Sequence, residues 1–179
     1  KACILGPDSM KGQVTRAAGP AFEQMLVGAG ASIASMPSSE IYTAMQTGVL
    51  DAANTSSGSF VSYRIYEQVK CLTEPGDHAL WFMYEPILMS KRSWDGLNEE
   101  QQQALMAAGK KAEEYMTEQA KGLDQKLVDA YKKAGVEVVK MSAEDAAAWR
   151  AIANETSYKN FAEKVPGGAE LIKKALAVE

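Results

Sequence analysis

The chain has 179 residues, of which 46% are hydrophobic and 23% are charged, so it resembles an average soluble globular protein and is not mainly disordered. Its 19 Lys and Arg against 23 Asp and Glu give a net charge of -4, which argues against a nucleic-acid partner, because such a partner requires a basic face. No apolar run approaches the roughly 20 residues that a membrane-spanning helix needs.

The first third of the chain predicts a parallel α/β layer, because strand-like and helical segments alternate there. The segments, in chain order, are a strand over 12–16, a helix from Pro20 to Gly28, a strand over 31–36, a helix capped by a serine and running to Gln46, and a strand over 49–53. This alternation is typical of a parallel sheet. In open α/β sheets, ligands bind beyond the carboxyl ends of the strands.

The rest of the chain predicts mainly helix. The segments are a helix over 60–68, a strand over 69–73, an extended apolar segment over 79–90, a helix over 99–134, a strand over 136–140, a helix from Ser142 to about 164 and a short final helix. Asn98 and Gln101 form a capping-box pattern. A single helix over 99–134 would be about 54 Å long. We therefore expect it either to kink at Gly109 or Gly122, or to brace more than one lobe.

Arg16 is the first candidate for ligand binding, because it closes a predicted strand among small residues. Its planar guanidinium suits a carboxylate, which it holds with two parallel hydrogen bonds. From the residues alone, a surface salt bridge is the commoner explanation of such an arginine.

Two further segments carry polar or aromatic groups that suit a ligand. The loop 54–59 (NTSSGS) offers amide and hydroxyl groups without charge, although such a composition is usually a plain turn. Trp81 and Phe82 offer flat apolar faces for a ligand wall, although aromatic residues in an apolar strand are more often core.

Enzyme and metal motifs are missing from the sequence. His78 is the single histidine, which weakens every mechanism that needs a histidine base beside a nucleophile or paired histidine ligands. Cys3 and Cys71 make neither a zinc site nor a disulfide-rich scaffold, and they read either as a pair or as two half-buried thiols. We therefore predict no catalytic residue, no metal site and no cofactor.

Three sequence blocks resemble the DctP-type extracytoplasmic solute receptors of TRAP transporters. Residues 8–16 (DSMKGQVTR) resemble the family segment DLKGLKIR, residues 36–51 (MPSSEIYTAMQTGVLD) resemble MPxSEVYxALQxGVxDG, and residues 87–97 (ILMSKRSWDGL) resemble LLISKKAWDKL. The blocks occur in the family's order and at its approximate spacing. The resemblance covers essentially the whole chain.

The resemblance implies an α/β fold of the two-lobed periplasmic binding protein type. This chain would be mostly the second lobe, with the hinge strands and a long inter-lobe helix. Residues 1–84 would form the second-lobe α/β unit, 85–124 would return to the first lobe, and 125–179 would complete the second lobe. Such receptors usually run to about 300 residues, so we expect the chain to be a fragment that lacks most of the first lobe before residue 1.

The resemblance also implies where the ligand binds. Arg16 matches the family arginine that pairs with the ligand carboxylate. The predicted ligand contacts are Arg16, Ser38, Asn54, Thr55, Trp81 and Phe82. The position of Thr55, preceded by Asn54, departs from the family's usual Asn or Trp. Trp81 and Phe82 replace a usual histidine or polar group, which indicates a larger or more apolar acid than a small dicarboxylate.

The predicted function is a non-enzymatic periplasmic receptor that binds an organic acid and delivers it to the membrane subunits of a TRAP-type transporter. We expect a monomer. An alternative on the same scaffold is a carboxylate-sensing domain of a signalling protein. In a periplasmic receptor, Cys3 and Cys71 would be expected to form a disulfide, because disulfides persist in oxidising compartments.

Overall fold

The structure is a computed structural model, and it describes residues 3–82 and 84–178. Residues 1, 2, 83 and 179, which fall within the predicted units 1–84 and 125–179, lie outside the described residues. The strands are β1 (Val14–Arg16), β2 (Ser32–Ile33), β3 (Ala52–Ala53), β4 (Cys71–Thr73) and β5 (Glu137–Val139). The α-helices are α1 (Pro20–Gly28), α2 (Ile41–Gln46), α3 (Ser57–Ser62), α4 (Lys91–Asp95), α5 (Glu99–Ala120), α6 (Leu123–Lys133), α7 (Ala143–Ala153), α8 (Lys159–Lys164) and α9 (Gly168–Leu176).

The predicted parallel layer is confirmed. β1 is the central strand of the order β2-β1-β3, and it pairs in parallel with both neighbours. The registers place Thr15 opposite Ile33 on one side and Arg16 opposite Ala53 on the other. Because all three strands run the same way, their carboxyl ends meet at one edge of the sheet, and Arg16 lies in the middle of that edge.

The outer strands are shorter than predicted, and β3 shows why. Gly48 has a φ of 76°, and the next two backbone N–H groups, of Val49 and Leu50, donate to the carbonyl of Ala44. Glycine is favoured in this left-handed conformation after a helix. Residues 49–50 are therefore used to close α2, and the ladder begins only at Ala52.

A second parallel pair joins β4 to β5, with Cys71 opposite Glu137. The helix α6 leads into β5 and packs on α3 and β5. A buried cluster of Leu72, Leu127, Tyr131 and Val136 lies under this pair. The rings of Phe60 and Tyr66 meet the Tyr131 ring edge-on, with centroids 6.2 and 5.7 Å away.

Two further buried clusters enclose the parallel layer. One contains Met25 and Leu26 of α1 with Trp149 of α7, so the carboxyl-terminal helices cover one face of the layer. The other contains Ile41, Leu50 and Ile65. The indole N–H of Trp149 donates to the backbone carbonyl of Leu5 at 2.7 Å, which ties the start of the described chain to α7.

The predicted long helix is two helices. Asn98 caps α5 with Gln101 in the predicted capping box, and the helix runs through Gly109 without a break. It ends before Gly122, where α6 begins. Glycine is a poor helix former because it loses the most backbone entropy, and among the two glycines in question the break lies at Gly122.

Two other expectations were wrong. The helix predicted over 60–68 is split, because Arg64 adopts a left-handed conformation with a φ of 54° between α3 and a 3-10 turn at Ile65–Glu67. The serine cap of α2 is missing, because Ser38 lies inside a 3-10 turn, and neither that turn nor α2 has a side-chain cap hydrogen bond. The described part of the segment 79–90, predicted to be extended, contains neither a helix nor a strand paired in a sheet.

Many large apolar side chains are exposed on α5 and at the described residues between 82 and 89. None of the 22 residues of α5 is buried. The large exposed apolar residues of these two regions are Phe82, Tyr84, Ile87, Leu88, Met89, Leu105, Met106, Tyr115 and Met116. We call them the exposed apolar face. No helix among the described residues is both long and apolar enough to cross a membrane.

Candidate functional site

Arg16 is held at the edge of the sheet by two backbone carbonyls. Its Nε donates to the oxygen of Met36 at 3.1 Å, and its Nη1 donates to the oxygen of Asn54 at 2.7 Å. These carbonyls follow β2 and β3, so the side chain bridges both loops that flank β1. Within the described chain, the N–H groups of Nη2 donate to no protein atom. Its guanidinium is therefore oriented but not saturated.

No described carboxylate forms an ion pair with Arg16. The ion pairs of residues 3–82 and 84–178 involve other side chains. Partial burial lowers the pKa of the Arg16 guanidinium, and the charge of Glu23 opposes that shift. Arginine remains protonated in proteins even so. A half-buried, oriented cation without a contacting carboxylate is suited to accept an external anion.

The loop after β3 supplies uncharged polar groups beside Arg16. Thr55 is 8% exposed, and the Oδ1 atom of Asn54 is buried without a hydrogen-bond partner among the described residues. Buried polar atoms are normally paired, so this oxygen is an unsatisfied acceptor at the edge of the site. The loop continues into α3, where the Ser56 hydroxyl accepts from the N–H of Ser59 at 3.2 Å.

Asp51 fixes the opposite end of the same strands. Its Oδ2 accepts from the backbone N–H of Val14 at 2.9 Å, and its own N–H donates to the Val14 carbonyl at 2.8 Å. This double link aligns β3 with β1. Asp51 therefore fixes the position along β1 at which the loop residues Asn54 and Thr55 lie beside Arg16.

The structure brings four of the six predicted contacts into one cleft. Asn54, Thr55, Trp81 and Phe82 line a cleft of about 2180 Å³ whose walls include β4, α5 and α6. Arg16 does not line it, but Arg16 donates to Asn54 in its wall. The sixth predicted contact, Ser38, lies two residues beyond Met36 and outside this cleft.

The aromatic pair does not form a packed wall. Trp81 is partly buried, whereas Phe82 is 81% exposed and belongs to the exposed apolar face. The alternative that Phe82 is a core residue is therefore wrong. Whether either ring contacts a ligand stays a prediction.

The cysteines are joined in a disulfide between Cys3 and Cys71. With Glu137 they are the only cluster of three potential metal ligands that the described residues form. Because each sulfur is bonded to the other, neither is a thiolate, and thiolate is the form that binds metal. The cluster is therefore a cross-link with a neighbouring carboxylate and does not fit a metal ion.

Three contributors to the site were not found by sequence reasoning. They are the Met36 carbonyl, Asp51 as a strand aligner, and Glu23, whose carboxylate accepts from the Ser35 hydroxyl at 2.7 Å. Backbone carbonyls carry no sequence signal. Asp51 lay within a quoted motif and inside the predicted strand 49–53, where its carboxylate gave no sign of the backbone N–H that it accepts from.

Comparison with known proteins gives a consistent result. The family described as "Bacterial extracellular solute-binding protein, family 7" matches residues 1–164. A solute-binding protein of Albidiferax ferrireducens is 41% identical over 169 residues, which are 94% of this chain and 50% of that protein. A 2,3-diketo-L-gulonate-binding periplasmic protein of Escherichia coli is 34% identical over 80% of this chain and 42% of its own length.

Solved structures show the same architecture. A TRAP periplasmic solute binding protein from Rhodoferax ferrireducens with bound malonate is 38% identical, with a TM-score of 0.87 over 98% of this chain and 58% of that one. Another from Citrobacter koseri with bound D-glucuronate is 24% identical, with a TM-score of 0.83 over 100% of this chain and 56% of that one, and it shows the fold. The chain spans about half the length of the curated relatives that it matches.

Proposed function

The chain belongs to the bacterial extracellular solute-binding proteins of family 7, and on that basis we propose that it forms the carboxylate-binding part of a receptor that passes an organic acid to a TRAP-type transporter. The observation that carries the proposal is Arg16. Its guanidinium is oriented by two carbonyls and retains free N–H groups at the carboxyl edge of a parallel sheet. This is the edge at which open α/β sheets bind ligands.

Binding would proceed by replacing water on Arg16. A carboxylate meets the free side of the guanidinium and forms charge-assisted hydrogen bonds, which are shorter and stronger than neutral ones. If the loop moves so that the buried Oδ1 of Asn54 is exposed, a hydroxyl or amine of the same ligand would donate to it. Thr55, which is buried beside it, adds a hydroxyl, so the site would recognise an acid that also carries a hydrogen-bond donor.

We propose that the exposed apolar face is covered, in the complete receptor, by the half that the relatives have and this chain does not match. Two observations support this. The chain covers 58% of the malonate-bound relative, and the 22 residues of α5 include no buried one. Large contiguous apolar surface normally marks an interface. Under this proposal residues 85–124 pack on the other lobe, and closure of the two lobes shifts the population toward a form that docks on the transporter.

A periplasmic location belongs to the same proposal. The family is extracellular by its description, and the Cys3–Cys71 disulfide suits an oxidising compartment. The role is that of a binding protein and not an enzyme, since the family and the structural neighbours are solute-binding proteins. The receptor would act as a monomer.

Isothermal titration calorimetry tests the proposed function. The probes are malonate, D-glucuronate and 2,3-diketo-L-gulonate, which are the acids of the relatives. We expect at least one probe to bind the wild-type protein. Arg16→Lys keeps the charge but loses the planar fork, and we expect it to weaken that binding at least tenfold, since a lost partner in a charge-assisted pair costs roughly 2 kcal/mol or more.

The matched control is Arg150→Lys. Arg150 is an exposed arginine on α7, so the same substitution there should leave affinity unchanged. Equal affinity of the wild-type and Arg16→Lys proteins for every bound acid would refute the assignment of Arg16. The binding of none of the three acids to the wild-type protein would count against the proposed function.

A further inference from the structure

A carboxylate lies beside the Cys3–Cys71 disulfide at a position that the second sheet fixes. Glu137 is the partner of Cys71 in the parallel register of β4 and β5, and its backbone N–H donates to the Lys70 carbonyl at 3.0 Å. The Sγ atoms of both cysteines and a carboxylate oxygen of Glu137 all lie within 4.8 Å of one another. The disulfide and the carboxylate therefore form one compact group.

No contacting cation cancels the charge of this carboxylate. In the part of the chain that the structure describes, Glu137 forms no ion pair. The charged residues that flank β4 and β5 are Lys70, Glu74 and Lys140, and the last two pair with each other at 3.2 Å. A negative charge thus remains beside the two sulfurs.

The group lies close to solvent. Cys3 and Cys71 are half-buried, and Glu137 is exposed. Cys71 also lines the large cleft. A small thiol that approaches the disulfide from outside therefore comes within a few ångströms of the Glu137 carboxylate.

Reduction of the bond brings negative charge to this place. A thiolate attacks one of the two sulfurs, the S–S bond breaks, and the other sulfur leaves with the electron pair and takes a proton from water. A second thiolate then attacks the mixed disulfide and releases the remaining cysteine, so that two protein thiols and one small disulfide result. Because like charges repel, a carboxylate beside the sulfurs raises the barrier for an anionic attacker.

We propose that Glu137 determines which small thiols can reduce the Cys3–Cys71 disulfide. It slows attack by thiols that are anionic overall, of which glutathione is one, and it leaves the bond open to thiols that carry a cationic group. The inference goes beyond the proposed function and does not rest on it. Its consequence is a cross-link that persists in contact with anionic thiols without being deeply buried.

The test compares the rates at which glutathione and cysteamine reduce the folded full chain at one pH and low ionic strength. Glutathione is anionic in its reactive form, whereas cysteamine carries an ammonium group next to its thiolate. Alkylation with iodoacetamide at timed intervals, followed by mass spectrometry, counts the thiols that have formed. Comparing the same thiol on two proteins cancels the reactivity of the thiol itself.

Glu137→Gln keeps the shape of the side chain and removes its charge. We expect it to raise the glutathione rate roughly two- to fivefold, by order of magnitude the repulsion between two unit charges several ångströms apart in water. The cysteamine rate should rise by less than half that factor, because the ammonium group offsets the repulsion of its thiolate. Glu137→Lys, which reverses the charge, should raise the glutathione rate further.

Glu163→Gln is the matched control, because Glu163 is an exposed glutamate of α8 that lies outside the disulfide group. It should leave both rates unchanged. In about 0.5 M NaCl, where the Debye length is only a few ångströms, the effect of Glu137→Gln on glutathione should shrink.

Two results would overturn the inference. An unchanged glutathione rate in Glu137→Gln and Glu137→Lys would show that the carboxylate does not influence the attack. Equal acceleration of glutathione and cysteamine, unaffected by salt, would show that the substitutions loosen the chain around the bond and that charge has no part in it.

Discussion

The Cys3–Cys71 disulfide should account for a large share of the stability of this chain. The cross-link joins residues 68 apart in sequence, and the loop that it closes contains the entire parallel layer from β1 to β3. The perturbation is the double variant Cys3→Ser/Cys71→Ser, which removes the bond and leaves no free thiol. Its unfolded chain gains the freedom that the cross-link denies to the wild-type chain.

The magnitude follows from the length of the closed loop. The chain-entropy relation assigns a loop of 68 residues a stabilisation of about 4 kcal/mol at 25 °C. The native contacts of the same segment do not depend on the bond. The Thr73 hydroxyl donates to the Ile4 carbonyl and the Trp149 indole to the Leu5 carbonyl. We therefore expect the double variant to keep its fold and to lose stability mainly through its unfolded state.

Urea unfolding measures the effect and can be followed by the fluorescence of the three tryptophans, of which Trp149 is buried. The double variant should unfold with a free energy about 4 kcal/mol lower than that of the oxidised wild-type protein. Thiol titration of the denatured wild-type protein should find no free thiol. A loss below about 1 kcal/mol would refute the loop-entropy reasoning, and two titratable thiols would refute the cross-link itself.

Other predictions concern packing and the exposed surface. Tyr131 is 1% exposed with a hydroxyl that has no partner among the described residues, so Tyr131→Phe should raise the free energy of unfolding by about 1 kcal/mol; a loss of that size in urea melts would mean that the hydroxyl is paired. A Cβ added at Gly168 would lie 2.6 Å from the Phe161 carbonyl oxygen. Gly168→Ala should therefore lower the free energy of unfolding by about 1–3 kcal/mol and lower the thermal midpoint with it. An unchanged midpoint would contradict the close approach. Leu88 is 83% exposed, so Leu88→Ser should leave stability within about 0.5 kcal/mol while reducing the binding of the dye ANS; unchanged dye fluorescence would show that Leu88 is not part of an accessible apolar surface.

The parallel layer and the start of α5 could be predicted because their signals are local. Alternating strand and helix patterns, Pro20 at a first helical turn and the capping box of Asn98 and Gln101 all act within a few residues. The strand pattern placed Arg16 at a strand end, and the resemblance to known receptors gave it the role of binding a ligand carboxylate. No local pattern identified the carbonyls that orient it.

The features that were missed depend on packing. Arg64 adopts a left-handed conformation. Arginine rarely takes this conformation, and no glycine or asparagine at that position predicted it. Glu23 meets Ser35 across 12 residues and a helix-to-strand crossover. The apolar sequence around Phe82 favours a buried aromatic residue, but Phe82 is exposed. Its exposure depends on which other elements pack against the segment. Such relations become visible only when the elements are assembled.

The two carbonyls on Arg16 restrict how the ligand preference of this receptor could be redesigned. Because the backbones after β2 and β3 are both bonded to one side chain, a change in the length of either loop would move the guanidinium as well. Insertions there would disturb the anchor before they altered the preference. Side-chain substitutions at positions such as Glu23 and Thr55 leave both hydrogen bonds to Arg16 in place. A library of variants should therefore begin with them.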